Sequence, residues 1–397
     1  MQEPPLRNTH QSISGENFPC LDGLRGIAVL SVVLFHTAYF NPASPLQNLL
    51  LNVSKSGWLG VPIFFILSGF LISYTVFKKG ANLQLGDYAV RRIARILPAF
   101  LLSILVFGIA EILFFKKEGV PASALAHFTT LANFTSGWTL INPVYWSLMI
   151  EIHFYIILPI IYFLSRRITK HPEFATFLLF AILPSLIRLP QHLPPSADVT
   201  AWHLNANMFP RAMDNFSLGI LFSLVCLNRG KLGKLKKIST ILAPLGLLTL
   251  AACYLSYSYI QWKYSPPGGF YGPTSLAIFE SYRILPSVGT FLLLFVIFLP
   301  SKSLLSSTLE FAPLRFLGVI SYEWFLFHYP PVLMLGRAFG KVNGDLGIYL
   351  LRTVVPFVTT LTVSFLIWKY FSNPILNWAK SKRRKVVTPN EDPSPIA

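Results

Sequence analysis

Residues 21–40, LDGLRGIAVLSVVLFHTAYF, form an apolar run that carries Arg25 and His36 and is long enough to cross a membrane as a helix. The two residues are eleven positions apart, which is three helical turns, so both side chains emerge from nearly the same face. An arginine inside a bilayer costs about 3 kcal/mol on insertion scales, and such residues usually face a protein interior or a wet cavity. The stretch therefore predicts a transmembrane helix with a functional site on one face.

The composition of the whole chain indicates the same environment. Hydrophobic residues make up 53% of the chain, charged residues only 12%, and the mean hydropathy is +0.55, whereas a soluble domain has about 25% charged residues. We therefore predict an all-α, polytopic transmembrane helical bundle of about ten spans. The predicted spans are 23–40, 58–77, 96–115, 145–165, 174–189, 211–228, 238–260, 281–300, 315–336 and 348–371.

The loops between the predicted spans differ in charge. With a cytoplasmic N-terminus, the inner loops carry most of the lysines and arginines, so the positive-inside rule predicts an N-in, C-in topology. The formal charge of +17 is then a topology signal, and no nucleic-acid partner is expected. We divide the chain into a cytoplasmic N-terminal tail (1–22), a transmembrane domain (23–371) and a basic, disordered cytoplasmic tail (372–397). The three cysteines lack disulfide or metal-binding spacing, and no metal is expected.

A rise of about 1.5 Å per residue gives each ionisable side chain an approximate depth. His36, Glu151 and His328 belong to three separate predicted spans and fall in one layer in the outer half of the membrane. There we predict a proton-handling site in which Glu151 orients His36 as a general base. Arg25 lies about 16 Å below His36, level with the start of the third span. We predict an anion site at this inner edge, with Arg25, Arg91, Arg92 and Arg95.

Six short motifs follow one another along the predicted spans. They are Arg25-x10-His36, FFILSGFLIS (64–73), RRIARILPAF (91–100), WSLMIEIHFY (146–155), RAMDNFSLG (211–219) and SYEWFLFHYP (321–330). In this order they resemble the acyltransferase-3 family of integral-membrane O-acyltransferases, which modify bacterial surface polysaccharides and other small acceptors. Glu323 and Trp324 depart from the family pattern in the last motif. Many relatives carry an additional C-terminal hydrolase-like domain, which we do not expect in this chain.

The resemblance implies that an acyl group, most often acetyl, moves from cytoplasmic acyl-CoA to a hydroxyl of a cell-surface or lipid-linked glycan at the outer side of the bacterial inner membrane. It implies that His36 is the general base, or alternatively an acylated intermediate, and that Glu151 assists it. The residues expected to hold acyl-CoA are Arg25, Ser68, Gly69, Arg91, Arg92 and Arg95. The residues expected to support the site are Trp146, Ser147, Tyr155, Arg211, Tyr322 and His328.

Other interpretations stay open at this point. A transporter or flippase of a lipid-linked glycan would also place charged side chains inside the membrane. An acyltransferase that acts on a macrolide or lipid would share the chemistry but not the acceptor. At the level of single residues, Ser68 and Gly69 also suit close helix packing, and Glu151 also suits a structural bond to Ser147 or Tyr155 on its own helix.

Overall fold

The computed structural model describes residues 18–37, 45–132, 141–188, 209–228, 232–264, 284–300, 303–338 and 345–387. Within these ranges the protein consists of helices and turns without a β-strand, which confirms the predicted all-α class. The α-helices are α1 (Pro19–Thr37), α2 (Pro45–Lys55), α3 (Gly60–Lys79), α4 (Leu85–Phe115), α5 (Val120–Phe128), α6 (Tyr145–Ile168), α7 (Pro172–Arg188), α8 (Phe209–Leu227), α9 (Leu232–Tyr264), α10 (Ile284–Leu293), α11 (Leu304–Leu309), α12 (Ala312–Val319), α13 (Ser321–Phe327), α14 (Tyr329–Ala338), α15 (Leu346–Ile367) and α16 (Asn373–Val387).

Six helical segments in the described part of the chain are long and apolar enough to cross a membrane. They are Pro19–Thr37, Leu49–Asn82, Leu85–Phe115, Tyr145–Ile168, Gly233–Tyr264 and Leu346–Ala379, and three shorter apolar helices lie at Pro172–Ile187, Ala212–Leu227 and Ile284–Phe298. The chain therefore has the helices of an integral membrane protein, but the predicted count of ten spans is not confirmed. The N-in, C-in orientation stays a prediction.

The predicted ninth span, 315–336, is not one continuous helix. It is divided among α12, α13 and α14, with a turn at Ile320 and a bend at His328. Pro330 and Pro331 are the second and third residues of α14, and proline is tolerated in the first turn of a helix but not in its interior. Two prolines at this point therefore explain why α14 starts as a new helix.

The last helix differs from the predicted tail. Residues 372–397 were expected to be disordered, but the backbone continues from α15 through a π-helical turn at Trp368–Ser372 into α16. Pro374 has no N–H to donate to the preceding turn, and the π-helical turn lies directly before α16. At the other end, α1 begins at Pro19, four residues before the predicted start of the first span.

Glycines bring the backbones of two helix pairs into contact. A Cβ atom on Gly219 of α8 would clash with the carbonyl oxygen of Ile66 in α3, and one on Gly318 of α12 would clash with that of Asp22 in α1. Small residues permit this close approach of membrane helices, which makes dispersion contacts along the seam possible. The two seams fix α1 and α3, which carry Arg25, His36 and Ser68.

A side chain of α4 replaces a backbone hydrogen bond that is missing in α6. Pro159 lies inside α6 and has no N–H, so the carbonyl oxygen of Tyr155, four residues earlier, lacks its helical donor. The hydroxyl of Tyr88 in α4 donates to this carbonyl at 2.8 Å. The hydrogen bond satisfies a buried acceptor and joins α4 to α6 beside Tyr155.

Helix α6 starts inside the protein. Tyr145, its first residue, is fully buried and donates its hydroxyl to Ser103 in α4 at 2.8 Å. Just before it, the side-chain amide of Asn142 donates to the carbonyl of Leu326 at 2.9 Å. This carbonyl would normally accept from residue 330, which is a proline, so Asn142 replaces the missing donor.

Candidate active site

The rings of His36 and His328 form a hydrogen-bonded pair. Nδ1 of His36 lies 3.0 Å from Nε2 of His328, and the edge of the His36 ring also contacts the Tyr329 ring, with centroids 4.7 Å apart. His36 is in the last turn of α1, and His328 occupies the bend between α13 and α14 with 0% of its surface exposed. The depth argument from the sequence placed these two residues in one layer, and the contact agrees with it.

Contacts with backbone carbonyl oxygens indicate which nitrogen of each ring carries the hydrogen. Nδ1 of His328 lies 2.8 Å from the carbonyl oxygen of Phe325 and 3.1 Å from that of Trp324, so this nitrogen carries hydrogen and donates. Nε2 of neutral His328 is then an acceptor. Nδ1 of His36 therefore donates to it and to the carbonyl of Val32 at 2.9 Å. In this arrangement Nε2 of His36 has no hydrogen and is free to accept a proton.

A cavity of about 80 Å³ lies between α1, α3, α4, α6 and α13. The ionisable and hydroxyl side chains that line it are those of Arg25, Ser68, Arg92, Arg95, Ser147, Glu151, Tyr155, Ser321 and Tyr322. Three guanidinium groups thus surround one carboxylate. The predicted meeting of Arg25 with the arginines of the third span is confirmed for Arg92 and Arg95, whereas Arg91 is absent from the lining of this cavity.

Glu151 is held by hydroxyl groups of two helices. The hydroxyls of Ser68 in α3 and Tyr155 in α6 both donate to its Oε1 atom. Glu151 also lies within electrostatic range of Arg25. The cavity thus combines one carboxylate, which accepts from two hydroxyl groups, with a larger number of basic side chains.

Aromatic rings orient the two arginines of α4. The guanidinium of Arg92 lies 5.7 Å from the ring centroid of Tyr88 and 5.6 Å from that of Tyr155, and the guanidinium of Arg95 lies 5.9 Å from that of Tyr322. Tyr322 is itself fixed by donating its hydroxyl to the carbonyl of Ile96 at 2.8 Å. Stacking leaves the hydrogen-bonding edges of a guanidinium available for an anionic ligand.

The predicted pairing of His36 with Glu151 is wrong. The described contacts of the His36 ring are to Val32, His328 and neighbouring aromatic rings, and those of the Glu151 carboxylate are to Ser68 and Tyr155. The error comes from taking the start of α6 as the membrane edge. Tyr145 meets Ser103, and α4 continues for twelve residues beyond Ser103, or about 18 Å. Glu151 therefore lies deeper than predicted, at the level of Arg25.

Aromatic rings separate the cavity from the histidine pair. The cavity is lined at this end by Phe64 and Phe325, whose ring centroids are 6.3 Å apart, and His36 is not among its lining residues. The Phe325 ring contacts the His328 ring, with centroids 5.9 Å apart. Phe325 therefore lies between the cavity and the histidine pair, and it is not among the residues that the sequence predicted for the site.

Three further residues that the sequence predicted for the site are Gly69, Trp146 and Arg211, each in a different helix. Gly69 packs against the backbone of Phe216 in α8, so its contact is with a neighbouring helix. The Trp146 ring lies edge-on to Phe65, with centroids 6.2 Å apart. Arg211 belongs to α8, but its side chain lies outside the described residues. The predicted roles of these residues stay predictions.

Glu323 is a further acidic group beside the cavity. Its side chain in α13 is 0% exposed, and its electrostatic neighbours include Arg95 and the hydroxyl of Ser372. The sequence alone could have pointed to Glu323, because it is an acidic residue within the apolar motif SYEWFLFHYP and departs from the family pattern. The sequence reasoning noted the departure but gave the residue no role.

Comparison with known proteins shows the family to which the chain belongs. A family model described as an acyltransferase domain matches residues 18–369, which is most of the chain. The chain belongs to the acyltransferase-3 family. The match includes all six motifs and every residue of the histidine pair and of the arginine-lined cavity. No solved structure matches the chain.

Similar proteins include bacterial O-acetyltransferases. Peptidoglycan O-acetyltransferase OatA of Listeria monocytogenes is 24% identical over 374 residues, covering 90% of this chain and 55% of the relative. The putative peptidoglycan O-acetyltransferase YrhL of Bacillus subtilis is 26% identical, covering 82% and 50%. O-acetyltransferase OatA of Staphylococcus aureus is 23% identical, covering 94% and 60%. The chain thus spans little more than half the length of these relatives.

Proposed function

We propose that this protein transfers an acyl group, most often acetyl, from acyl-CoA to a hydroxyl of a glycan. The observation that carries the proposal is the hydrogen-bonded chain from the carbonyls of Phe325 and Trp324 through His328 to His36. This chain leaves Nε2 of His36 as an unprotonated base. A histidine held in one tautomer by a second group is the usual means of deprotonating a hydroxyl nucleophile.

The reaction needs one proton transfer and one acyl transfer. Nε2 of His36 takes the proton of the acceptor hydroxyl while the hydroxyl oxygen forms a bond to the thioester carbonyl carbon. The carbon–sulfur bond then breaks, and the sulfur leaves as CoA thiolate, which takes up the proton. The positive charge that forms on the His36 ring is stabilised because Nδ1 donates to Val32 and His328.

The arginine-lined cavity suits the anionic part of the donor. Arg25, Arg92 and Arg95 outnumber the single carboxylate of Glu151, so the cavity favours a ligand with several negative charges such as the phosphates of CoA. In this proposal Glu151 keeps Arg25 in place instead of assisting His36. The pantetheine arm would reach the histidine pair by displacing the Phe325 ring.

The acceptor and the location follow from the relatives and the topology. Two of the similar proteins are named as peptidoglycan O-acetyltransferases, which supports a cell-envelope glycan as acceptor. We place the protein in the bacterial inner membrane with both termini in the cytoplasm, following the distribution of lysine and arginine. Acyl-CoA would then enter from the cytoplasm, and the glycan would meet His36 in the outer half of the membrane.

The test is acceptor-dependent release of CoA. Purified protein in detergent receives acetyl-CoA with or without soluble peptidoglycan fragments, and free CoA and acetylated fragments are measured by mass spectrometry. We expect His36→Ala to lower the rate by about 10² to 10⁴-fold because the general base is lost. The matched control is His153→Ala, which removes a histidine of α6 that belongs to neither site.

Two results would contradict the proposal. One is a His36→Ala variant that keeps the wild-type rate with an intact fold. The other is movement of a lipid-linked glycan across vesicles without any acyl donor, which would favour a flippase that uses the same buried charges.

A further inference from the structure

A second and larger cavity lies between α4 and α6. Its volume is about 1040 Å³, and it occupies the beginning of α4 and the second half of α6. Its walls are mostly aliphatic, and Ile93, Ile156, Ile160 and Leu164 are each about half exposed. Its size matches a ligand-binding cavity more than the small voids between packed helices.

Two of the three arginines that line this cavity lie at one end of it, and the third, Arg92, lies in the wall next to Tyr155. Arg166 and Arg167 lie in the last turn of α6 and are exposed, and no acidic residue is among the described residues of the lining. The Arg166 guanidinium stacks near the Tyr162 ring, 5.9 Å from its centroid, which keeps its hydrogen-bonding edges available. The cavity thus has an apolar body and a cationic end, which is the complement of an anionic amphiphile.

Pro159 lies in the wall of this cavity, near the hydrogen bond that joins α4 to α6. It lines the cavity from inside α6 and prevents regular helical bonding at this turn. Tyr88 bridges the two helices by its bond to the carbonyl of Tyr155. Tyr88, Tyr155 and Arg92 all line the larger cavity, and Tyr155 and Arg92 also line the small one. These side chains are therefore the wall between the two cavities.

The lining of the cavity limits the chemical class of ligand that it can bind. A water-soluble anion would make no use of the aliphatic walls, and a neutral lipid would make no use of Arg166 and Arg167. Basic residues at a helix end also attract the anionic membrane surface in general, but a general attraction does not need an apolar cavity of this size beside them. Both features together match one lipid with an acyl chain and a phosphate.

We propose that this cavity binds one anionic phospholipid, with an acyl chain between α4 and α6 and its phosphate at Arg166 and Arg167. The bound chain lies against Pro159 and supports the wall formed by Tyr88 and Tyr155. This inference does not depend on the proposed acyl transfer.

The test is native mass spectrometry of the full-length protein after delipidation and titration with phosphatidylglycerol or phosphatidylcholine of equal chain length. We expect one tightly retained phosphatidylglycerol and at least tenfold weaker retention of phosphatidylcholine. The double variant Arg166→Gln/Arg167→Gln should lose this preference. Its matched control is Lys78→Gln/Lys79→Gln, which removes two positive charges at the end of α3, outside the cavity, and should keep the preference.

A second variant tests the apolar body of the cavity. Ile160→Trp places a larger side chain in the cavity and should lower retention of phosphatidylglycerol at least tenfold. Leu105→Trp changes a similarly exposed residue of α4 outside the cavity and should not. Equal retention of both lipids by the wild type, or equal loss in both lysine and arginine variants, would overturn the proposal. Displacement of the lipid by glycerol phosphate alone would also overturn it, since the acyl chain would then contribute nothing.

Discussion

His328 and the carbonyl of Val32 together hold the hydrogen on Nδ1 of His36, and His328 is the partner that a substitution can remove. We expect His328→Ala to lower kcat by about 10²-fold or more while the KM for acetyl-CoA stays unchanged, because the donor cavity is not altered. His328→Gln should retain more activity than His328→Ala, because an amide oxygen can accept from Nδ1 of His36. Steady-state kinetics of both variants checks this. Equal losses in the two variants would show that His328 serves packing rather than hydrogen bonding.

Arg92 and Arg95 of α4 line the arginine-lined cavity and Arg91 does not, so substitutions of them should affect the KM for acetyl-CoA differently. We expect Arg92→Gln and Arg95→Gln to raise the KM for acetyl-CoA about tenfold or more, since a hydrogen bond to a charged group contributes about 1.5–3 kcal/mol. Arg91→Gln is the matched control on the same turn, because Arg91 does not line the central cavity. An equal rise in KM for all three variants would indicate a general effect of charge on the donor.

Single residues could be placed from the sequence only where the helix start was known. Counting residues put His36 beside His328 and Arg25 beside Arg92 and Arg95, and both meetings are found. Glu151 was misplaced because α6 begins at a buried tyrosine. Nothing local to the sequence shows that a helix starts in the interior, since this depends on the distant partners Ser103 and Leu326.

At the level of the helices, the glycine seam between α3 and α8 makes a direct prediction. Gly219→Ala should destabilise the protein by about 1–3 kcal/mol, because the added Cβ meets the backbone of Ile66 and the helices must separate. Gly86→Ala is the control, since a Cβ at this position in α4 has no neighbour within 4 Å. The apparent melting temperature in detergent measures both. A Gly219→Ala protein as stable as Gly86→Ala would show that the seam can expand freely.

Helices were predicted well where the apolar run was long and uninterrupted. The first four predicted spans correspond to helices α1, α3, α4 and α6. The run 315–336 has the hydropathy of a span, yet three short helices replace it. Its prolines were visible in the sequence, but their effect depends on Asn142, which supplies the hydrogen bond that lets the chain bend at His328.

For the molecule as a whole, the orientation is the prediction to measure. In a background without native cysteines, Ser14→Cys and Ser394→Cys should react with a membrane-impermeant thiol reagent only after cells are opened. Lys116→Cys, at the exposed end of α4, should react in intact spheroplasts. The reverse pattern would place the arginine-lined cavity toward the outside and would separate it from cytoplasmic acyl-CoA.

The histidine pair also limits the order of events in the whole enzyme. If His36 carried the acyl group itself, the group would sit on Nε2, the same atom that must collect the proton from the incoming sugar. Its other nitrogen is occupied by Val32 and His328. The described contacts of the His36 ring include no carboxylate that could act as a second base. Under the proposed mechanism, donor and acceptor would therefore have to be present together, one from each side of the bilayer. Under that mechanism, a cell with plenty of donor that has stopped delivering glycan would leave the enzyme without any stored acyl group.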